Sequence, residues 1–239
     1  MRKKLSLNAD VGEGSQNDAA LMPYLTRCSI ACGGHAGDRE SIDQTLDLAI
    51  RHQVKVGAHP SYPDQENFGR SALNISQELL MESLAAQIQL MKDRCQQKGI
   101  DMEHIKPHGR FYNDLHHDKG LANAWLNLLQ QVFEQPVTIL VAPNSVVLKE
   151  AKDRNFPYLV EVFADRNYQD DGSLVPREEA FSLITDKEIF KKRLDELADK
   201  AQITTMNGKK LSLEFDTLCL HSDSDDIVEN LQFALSDEQ

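Results

Sequence analysis

Short apolar runs alternate with longer amphipathic stretches along the whole chain. Residues 5–8, 28–32, 54–58, 104–106, 137–141, 158–162 and 216–220 read as strands, each apolar and β-branched over the length a strand needs. Between them the spacing turns helical. Over 76–98 the apolar positions Leu80, Leu84, Ile88, Met91 and Cys95 recur every three or four residues, with Ser76 placed to cap the start and Gly99 to end the helix. Over 186–201 Phe190, Leu194, Leu197 and Ala201 form one stripe, and Thr185 with Glu188 has the spacing of a capping box. Ser224-Asp225-Asp226 opens a C-terminal helix with acid at the positive end of its dipole.

Repeated strand–helix alternation implies a parallel sheet with right-handed crossovers. A closed barrel and an open doubly wound sheet both satisfy it. A closed barrel buries both faces of every strand, so its strands need not alternate in polarity. With 239 residues and no linker or low-complexity tract, a single domain over 1–239 is expected. The stretches 59–75 and 163–185 are strand-poor, and long loops in a compact domain are often functional.

Charge narrows the partners. Lys plus Arg is 26 and Asp plus Glu is 38, a net charge of −12, which argues against nucleic acid and anionic membrane surfaces. Local cations can still bind a small anion. Cys28, Cys32, Cys95 and Cys219 form no CxxC pair and read as small buried hydrophobes in a reducing compartment. Met1-Arg2-Lys3-Lys4-Leu5 runs into a strand with no apolar leader, and no apolar run reaches membrane length, so a cytoplasmic location is expected.

The polar residues gather just after the strands. The first is followed by Asn8, Asp10 and Glu13, the second by Gly33-Gly34-His35 and Asp38, the third by His59. The fourth ends at Lys106 and His108, the sixth at Asp165-Arg166, and the last at His221. In parallel β/α folds these strand ends converge on one face, where ligands bind. Each residue also has a plainer use: a histidine can be a hydrogen-bonded structural group, Asp10, Glu13 and Asp38 can cap helices, and the glycines can serve turns. One aspartate with two or three histidines from different strands can bind a divalent metal that activates water, or act as acid and base without one. Arg70, Arg166 and Lys106 can hold a carboxylate. No GxxxxGK[ST] loop and no GxSxG elbow is present.

Seven blocks, in order, resemble the LamB/YcsF family: residues 7–14, 31–38, 57–64, 68–70, 106–109, 161–166 and 216–221. The resemblance implies a seven-stranded β/α barrel of the glycoside hydrolase/deacetylase type. It also implies the role of A subunit in an ATP-dependent 5-oxoprolinase, which opens 5-oxo-L-proline to L-glutamate with subunits B and C and uses ATP as co-substrate. On that basis Asp10, Glu13, His59, Lys106 and His108 are the catalytic candidates. Asn8, Arg70, Asn113, Glu161, Asp165, Arg166 and His221 are the substrate-binding candidates, and Asp10, His35 and His59 the candidate ligands of a divalent metal. Two other functions stay open: a stand-alone metal-dependent deacetylase or carbohydrate hydrolase, and a non-catalytic binding subunit. The chain departs from the family pattern at Gly34 (for Phe), Ser71 (for a second Arg), Arg110-Phe111 (for Ala-Leu) and Ser222-Asp223-Ser224 (for Gly-Asp-Asn). Gly34 predicts a looser second loop.

Overall fold

Seven parallel strands close on themselves in the computed structural model, which describes residues 5–177 and 179–236. They are β1 (Leu7–Val11), β2 (Arg27–Ala31), β3 (Lys55–His59), β4 (Met102–Ile105), β5 (Thr138–Val141), β6 (Tyr158–Phe163) and β9 (Thr217–His221). Each pairs with its neighbour in that order, and β9 closes the ring against β1. The expected strand positions hold to within two or three residues, and the doubly wound alternative falls because β9 pairs with both β1 and β6. Met1 to Lys4 lie outside the described residues, and no described helix is long and apolar enough to cross a membrane.

The strands alternate, although burial on both faces does not demand it. On β1, Leu7, Ala9 and Val11 join the hydrophobic core, while Asn8 points inward to Thr217 of neighbouring β9 and Asp10 to Lys106, just beyond β4. The same period of two puts Ile30 in the core beside inward Ser29, and Ile105 between inward His104 and Lys106. The physical reason is that the hydrophobic core lies between strands and helices. The barrel interior is polar, where many such barrels carry branched aliphatic side chains. Gly57 makes room for this filling: a Cβ there would stand 2.5 Å from the His104 ring.

The helices are α1 (Asp18–Leu21), α2 (Arg39–His52), α3 (Gln77–Lys98), α4 (Gly109–His117), α5 (Lys119–Val132), α6 (Val146–Asp153), α7 (Lys187–Lys200) and α8 (Ile227–Leu235). In α3 the predicted stripe is buried, Ser76 caps Leu79 and Gly99 closes the helix at φ 69°. The cap of α7 is Asp186, whose carboxylate accepts from the N–H groups of Glu188 and Ile189, so the Thr185 capping box is corrected. A carboxylate one position later makes both bonds at once and gains from the helix dipole. Asp38 takes its plainer use, exchanging capping bonds with Ser41 at the start of α2. A short antiparallel pair outside the barrel, β7 (Gln202–Thr204) with β8 (Lys210–Ser212), connects α7 to β9.

The loop at Gly34 is tight, not loose. A Cβ on Gly34 would stand 2.4 Å from both Ser61 Oγ and Gln87 Oε1. Gln87, from α3, accepts from Ser61 N at 2.9 Å and donates to Ser61 O at 2.9 Å. That clamp fixes the chain leaving β3, and absence of a side chain at Gly34 lets it close.

Candidate active site

The polar interior is layered from the barrel floor to its mouth. At the floor, Asn8 Nδ2 donates to Thr217 Oγ1 at 3.0 Å, and Ser29 Oγ lies 3.3 Å from His104 Nε2. Above them sits Lys106, a lysine with only 2% of its surface exposed. Its Nζ lies 2.8 and 3.0 Å from the two Asp10 oxygens, 3.1 Å from Glu161 Oε2 and 3.0 Å from Cys219 Sγ. Burial by itself would raise the Asp10 carboxyl and lower the Lys106 ammonium. The His59 ring and the Lys106 charge outweigh it for Asp10, which ionises well below its usual range. Asp10 and Glu161 likewise hold the Lys106 proton well above its ordinary value. For Glu161 burial wins over Lys106, and its carboxyl is pushed up. One ammonium is thus tightly paired to Asp10 with a second, more easily protonated acid beside it.

At the mouth three imidazoles surround Glu13. Its Oε1 lies 2.8 Å from His35 Nε2, 3.2 Å from His108 Nδ1 and 3.6 Å from His59 Nε2. His35 and His108 stack with ring centres 3.6 Å apart. Burial pushes Glu13 up, but its close contacts with the His108 and His35 rings more than reverse it, and Glu13 is held well below the usual carboxylate range.

The backbone fixes two of these rings. His59 Nδ1 is 2.7 Å from the Lys106 carbonyl oxygen, and His108 Nε2 is 3.0 Å from that of Phe68. A carbonyl only accepts, so both nitrogens carry hydrogen. Their other nitrogens, His59 Nε2 and His108 Nδ1, are left as lone pairs 2.9 Å apart, both close to the Glu13 oxygen. Two lone pairs and a carboxylate at that spacing require a positive charge among them: a proton held on one ring, or a metal ion. The ligand atoms of Glu13, His35, His59 and His108 all lie within 4.8 Å of one another. Separations of 2.8–3.6 Å are those of donors around one small cation. The chain is bent to make this contact: Phe68 stands at φ 55° and Gly69 at φ 63°, which turns the Phe68 carbonyl toward His108. A side chain at Gly69 would press on His35 Cβ at 3.1 Å.

The model of the LamB/YcsF family matches residues 5–236. The chain belongs to the LamB/YcsF family. A relative in Haemophilus influenzae (strain PittEE), named as the A subunit of 5-oxoprolinase, is 35% identical over 233 residues, covering 97% of this chain and 93% of that protein. One of the same name in Vibrio cholerae serotype O1 (strain M66-2) is 33% identical, covering 95% of this chain and 94% of that protein. The crystal structure of a lactam utilization protein from Thermus thermophilus superimposes with a TM-score of 0.88, at 29% identity, over 99% of this chain and 97% of that one.

Within this LamB/YcsF barrel the expected residues separate into three groups. Asp10, Glu13, His35, His59, Lys106 and His108 converge as described, with Glu161 beneath them. Of the expected metal set, His35 and His59 have their ligand atoms grouped with those of Glu13 and His108, while Asp10, 3.4 Å from His59 and paired with Lys106, is grouped with Cys219 and His221. Asp165 holds His221, the carboxylate accepting from His221 N at 2.7 Å and lying 3.0 Å from its Nδ1, and His221 in turn has a ligand atom within 4.8 Å of those of Asp10 and Cys219. Asn8 is buried at the floor, out of reach of the mouth cluster. Asn113 is exposed on α4 and takes no part in the cluster. Arg166 is turned into its own loop, donating to Val175 O at 2.6 Å and Ser182 O at 3.3 Å, so it braces 166–184 and does not reach for a ligand. Sequence reading missed Ser29 and His104. The alternation of polar and apolar residues within each strand is the signal that finds them.

His104 sets a pH limit on the fold. Burial lowers its pKa to about 3, so the folded ring stays neutral where the unfolded ring, ordinary at 6.5, takes a proton. Between those values the unfolded state binds more protons, and stability falls as pH falls, by up to about 1.4 kcal/mol per pH unit for this one group. Burial lowers His35 and His108 in the same direction. Urea midpoints measured from pH 7 to 4 should decline steadily, with a shallower decline in His104→Gln. A flat profile over that range would refute the reading.

Proposed function

We propose that this chain is the A subunit of an ATP-dependent 5-oxoprolinase and contributes the site where the lactam of 5-oxo-L-proline is opened to L-glutamate. The reading is carried by its near full-length likeness to relatives named as the A subunit of 5-oxoprolinase. The buried acid, imidazole and ammonium groups at the barrel mouth supply chemistry that suits it. A five-membered lactam is a resonance-stabilised amide that water opens slowly near neutral pH. Phosphorylation of its oxygen by ATP makes the ring carbon reactive. Water then adds to that carbon, the C–N bond breaks as the nitrogen gains a proton, and a second water releases phosphate from the acyl phosphate.

Glu13 is held ionised and lies 3.2 Å from His108, which suits the pair to take a proton from the attacking water. Lys106 offers a fixed positive charge beneath the reacting centre, and Glu161, the more easily protonated acid, is the candidate proton donor. The same donor set alternatively fits a divalent cation held by Glu13, His59 and His108, with His35 beside them, and those groups would then serve as its ligands in place of the base. When bound, such an ion would polarise the substrate oxygen and acidify water. Arg70, exposed at the mouth, is the cation left to meet the substrate carboxylate. The sequence has no GxxxxGK[ST] loop, which suits a division of ATP handling with subunits B and C.

The test is glutamate and ADP release from 5-oxoproline and ATP by purified B and C subunits, with and without this chain. Release that depends on the chain is expected. Equal release without it would end the proposal. Hydrolysis of acetylated sugars by the chain alone, without ATP, would favour the deacetylase reading instead.

A further inference from the structure

Three loops meet above the imidazole cluster through one carboxylate. Arg177 NH2, from the loop after β6, lies 2.6 Å from both oxygens of Asp223, which follows β9. Arg70 NH2, from the loop after β3, lies 3.3 Å from Asp223 Oδ2. The Arg70 guanidinium stands 4.8 Å over the Phe68 ring, and that ring contacts His35 and His108 at 5.0 and 5.3 Å. One aromatic ring therefore separates the arginine pair from the imidazoles.

Arg70, Arg166 and Arg177 are near enough that the first and last help, after burial, to depress the pKa of Arg166. Asp165 is committed to His221, which leaves Asp223 as the carboxylate paired with Arg70 and Arg177. Two guanidiniums that share one carboxylate among the described residues can together form a seat for an anion. Its present occupant is a carboxylate on a partly exposed loop, with side-chain exposures of 38% for Arg70, 32% for Asp223 and 20% for Arg177. Ion pairs so exposed hold weakly and exchange readily.

We propose that Arg70 and Arg177 together seat the carboxylate of the small-molecule substrate, and that Asp223 is an internal stand-in which the incoming carboxylate displaces. This rests on the reading of the barrel mouth as the substrate site. Displacement also frees the β9 loop from its ties to the other two loops, so occupancy of the seat is coupled to loop position.

Calorimetry on the full chain separates the possibilities, with 5-oxo-L-proline, carboxylate-free 2-pyrrolidinone, acetate and inorganic phosphate as probes. Removing the competing carboxylate in Asp223→Asn should tighten 5-oxoproline binding by about tenfold, and Arg177→Gln should weaken it by about tenfold, the scale of one charge-assisted contact. Neither variant should change 2-pyrrolidinone binding. The substitutions lie in an exposed ion pair, and melting curves check that each variant is folded. If 5-oxoproline binds the wild type and Asp223→Asn leaves its affinity unchanged or weaker, the stand-in role is wrong while the substrate reading survives. If neither ring compound binds, yet Asp223→Asn still tightens acetate, the seat stands and the 5-oxoproline reading falls. Phosphate tightened in place of acetate would overturn the carboxylate assignment.

Discussion

Replacing Lys106 with methionine should destabilise the protein by about 3–5 kcal/mol, the usual cost of removing one partner from a buried ion pair. Methionine keeps the length and most of the volume, so the loss reports charge and not a cavity. Asp10 would be left ionised inside the barrel beside Glu161, without the ammonium that makes the 2.8 and 3.1 Å contacts. One of the two acids must then hold a proton, and Glu161, already pushed up by burial, is the one to do so. The expected readout is a lower urea midpoint at pH 7 with an unchanged slope, and a melting temperature lower by roughly 6–20 °C for a chain of this size. Adding Asp10→Asn and Glu161→Gln to Lys106→Met should restore much of the loss, because a neutral interior needs no counter-charge. The wild-type pair also makes stability depend on pH. Asp10 is depressed, so its contribution is present above the unfolded carboxylate value and fades as pH falls through its folded value. Lys106 is raised, so its contribution is present below the unfolded lysine value and fades as pH rises through its folded one. A Lys106→Met protein as stable as the wild type would show that the ammonium is not what holds these acids.

The largest loss of activity is expected from His108→Ala, His59→Ala and Asp10→Ala in the reconstituted three-subunit mixture. Each should lower ADP release coupled to glutamate formation by about 10²–10⁴-fold, the range for a positioned acid–base group. The cation reading adds a readout independent of turnover. Zinc added to chelator-treated wild-type chain should stabilise it by about 2.7 kcal/mol at a hundred times the dissociation constant. His59→Ala should lose that shift, because its bare nitrogen faces that of His108 at 2.9 Å. Retained activity in both His59→Ala and Asp10→Ala would remove the catalytic assignment. Lost activity with no zinc effect in the wild type would keep the residues and assign the charge between the rings to a proton.

Much of this site could be read along the chain because each strand is short and its functional groups follow it directly. His59 stands at the end of β3, His108 and Lys106 just beyond β4, and Glu13 two residues past β1. Asp10 was legible as a candidate but not as Lys106's partner, since the two are 96 residues apart and meet only when the ring closes. Arg166 looked like a ligand-binding cation, and no local pattern announces that its guanidinium faces two carbonyls of its own loop. Arg177 and Asp223 carried no motif at all. Their pairing depends on how the loops after β6 and β9 fold over the mouth.

The sequence by itself determined the order of strands and helices, the caps at Ser76 and Gly99, and the set of polar residues delivered to one rim. These follow from local periodicity and backbone preference, which act over a few neighbouring residues. It took the closed ring to make the barrel interior polar, to bring Glu13 in among three histidines while Asp10 spans His59 and Lys106, and to leave one nitrogen of His59 and of His108 bare. Those outcomes depend on contacts between distant strands and on backbone carbonyls that orient the rings, and a linear pattern contains neither.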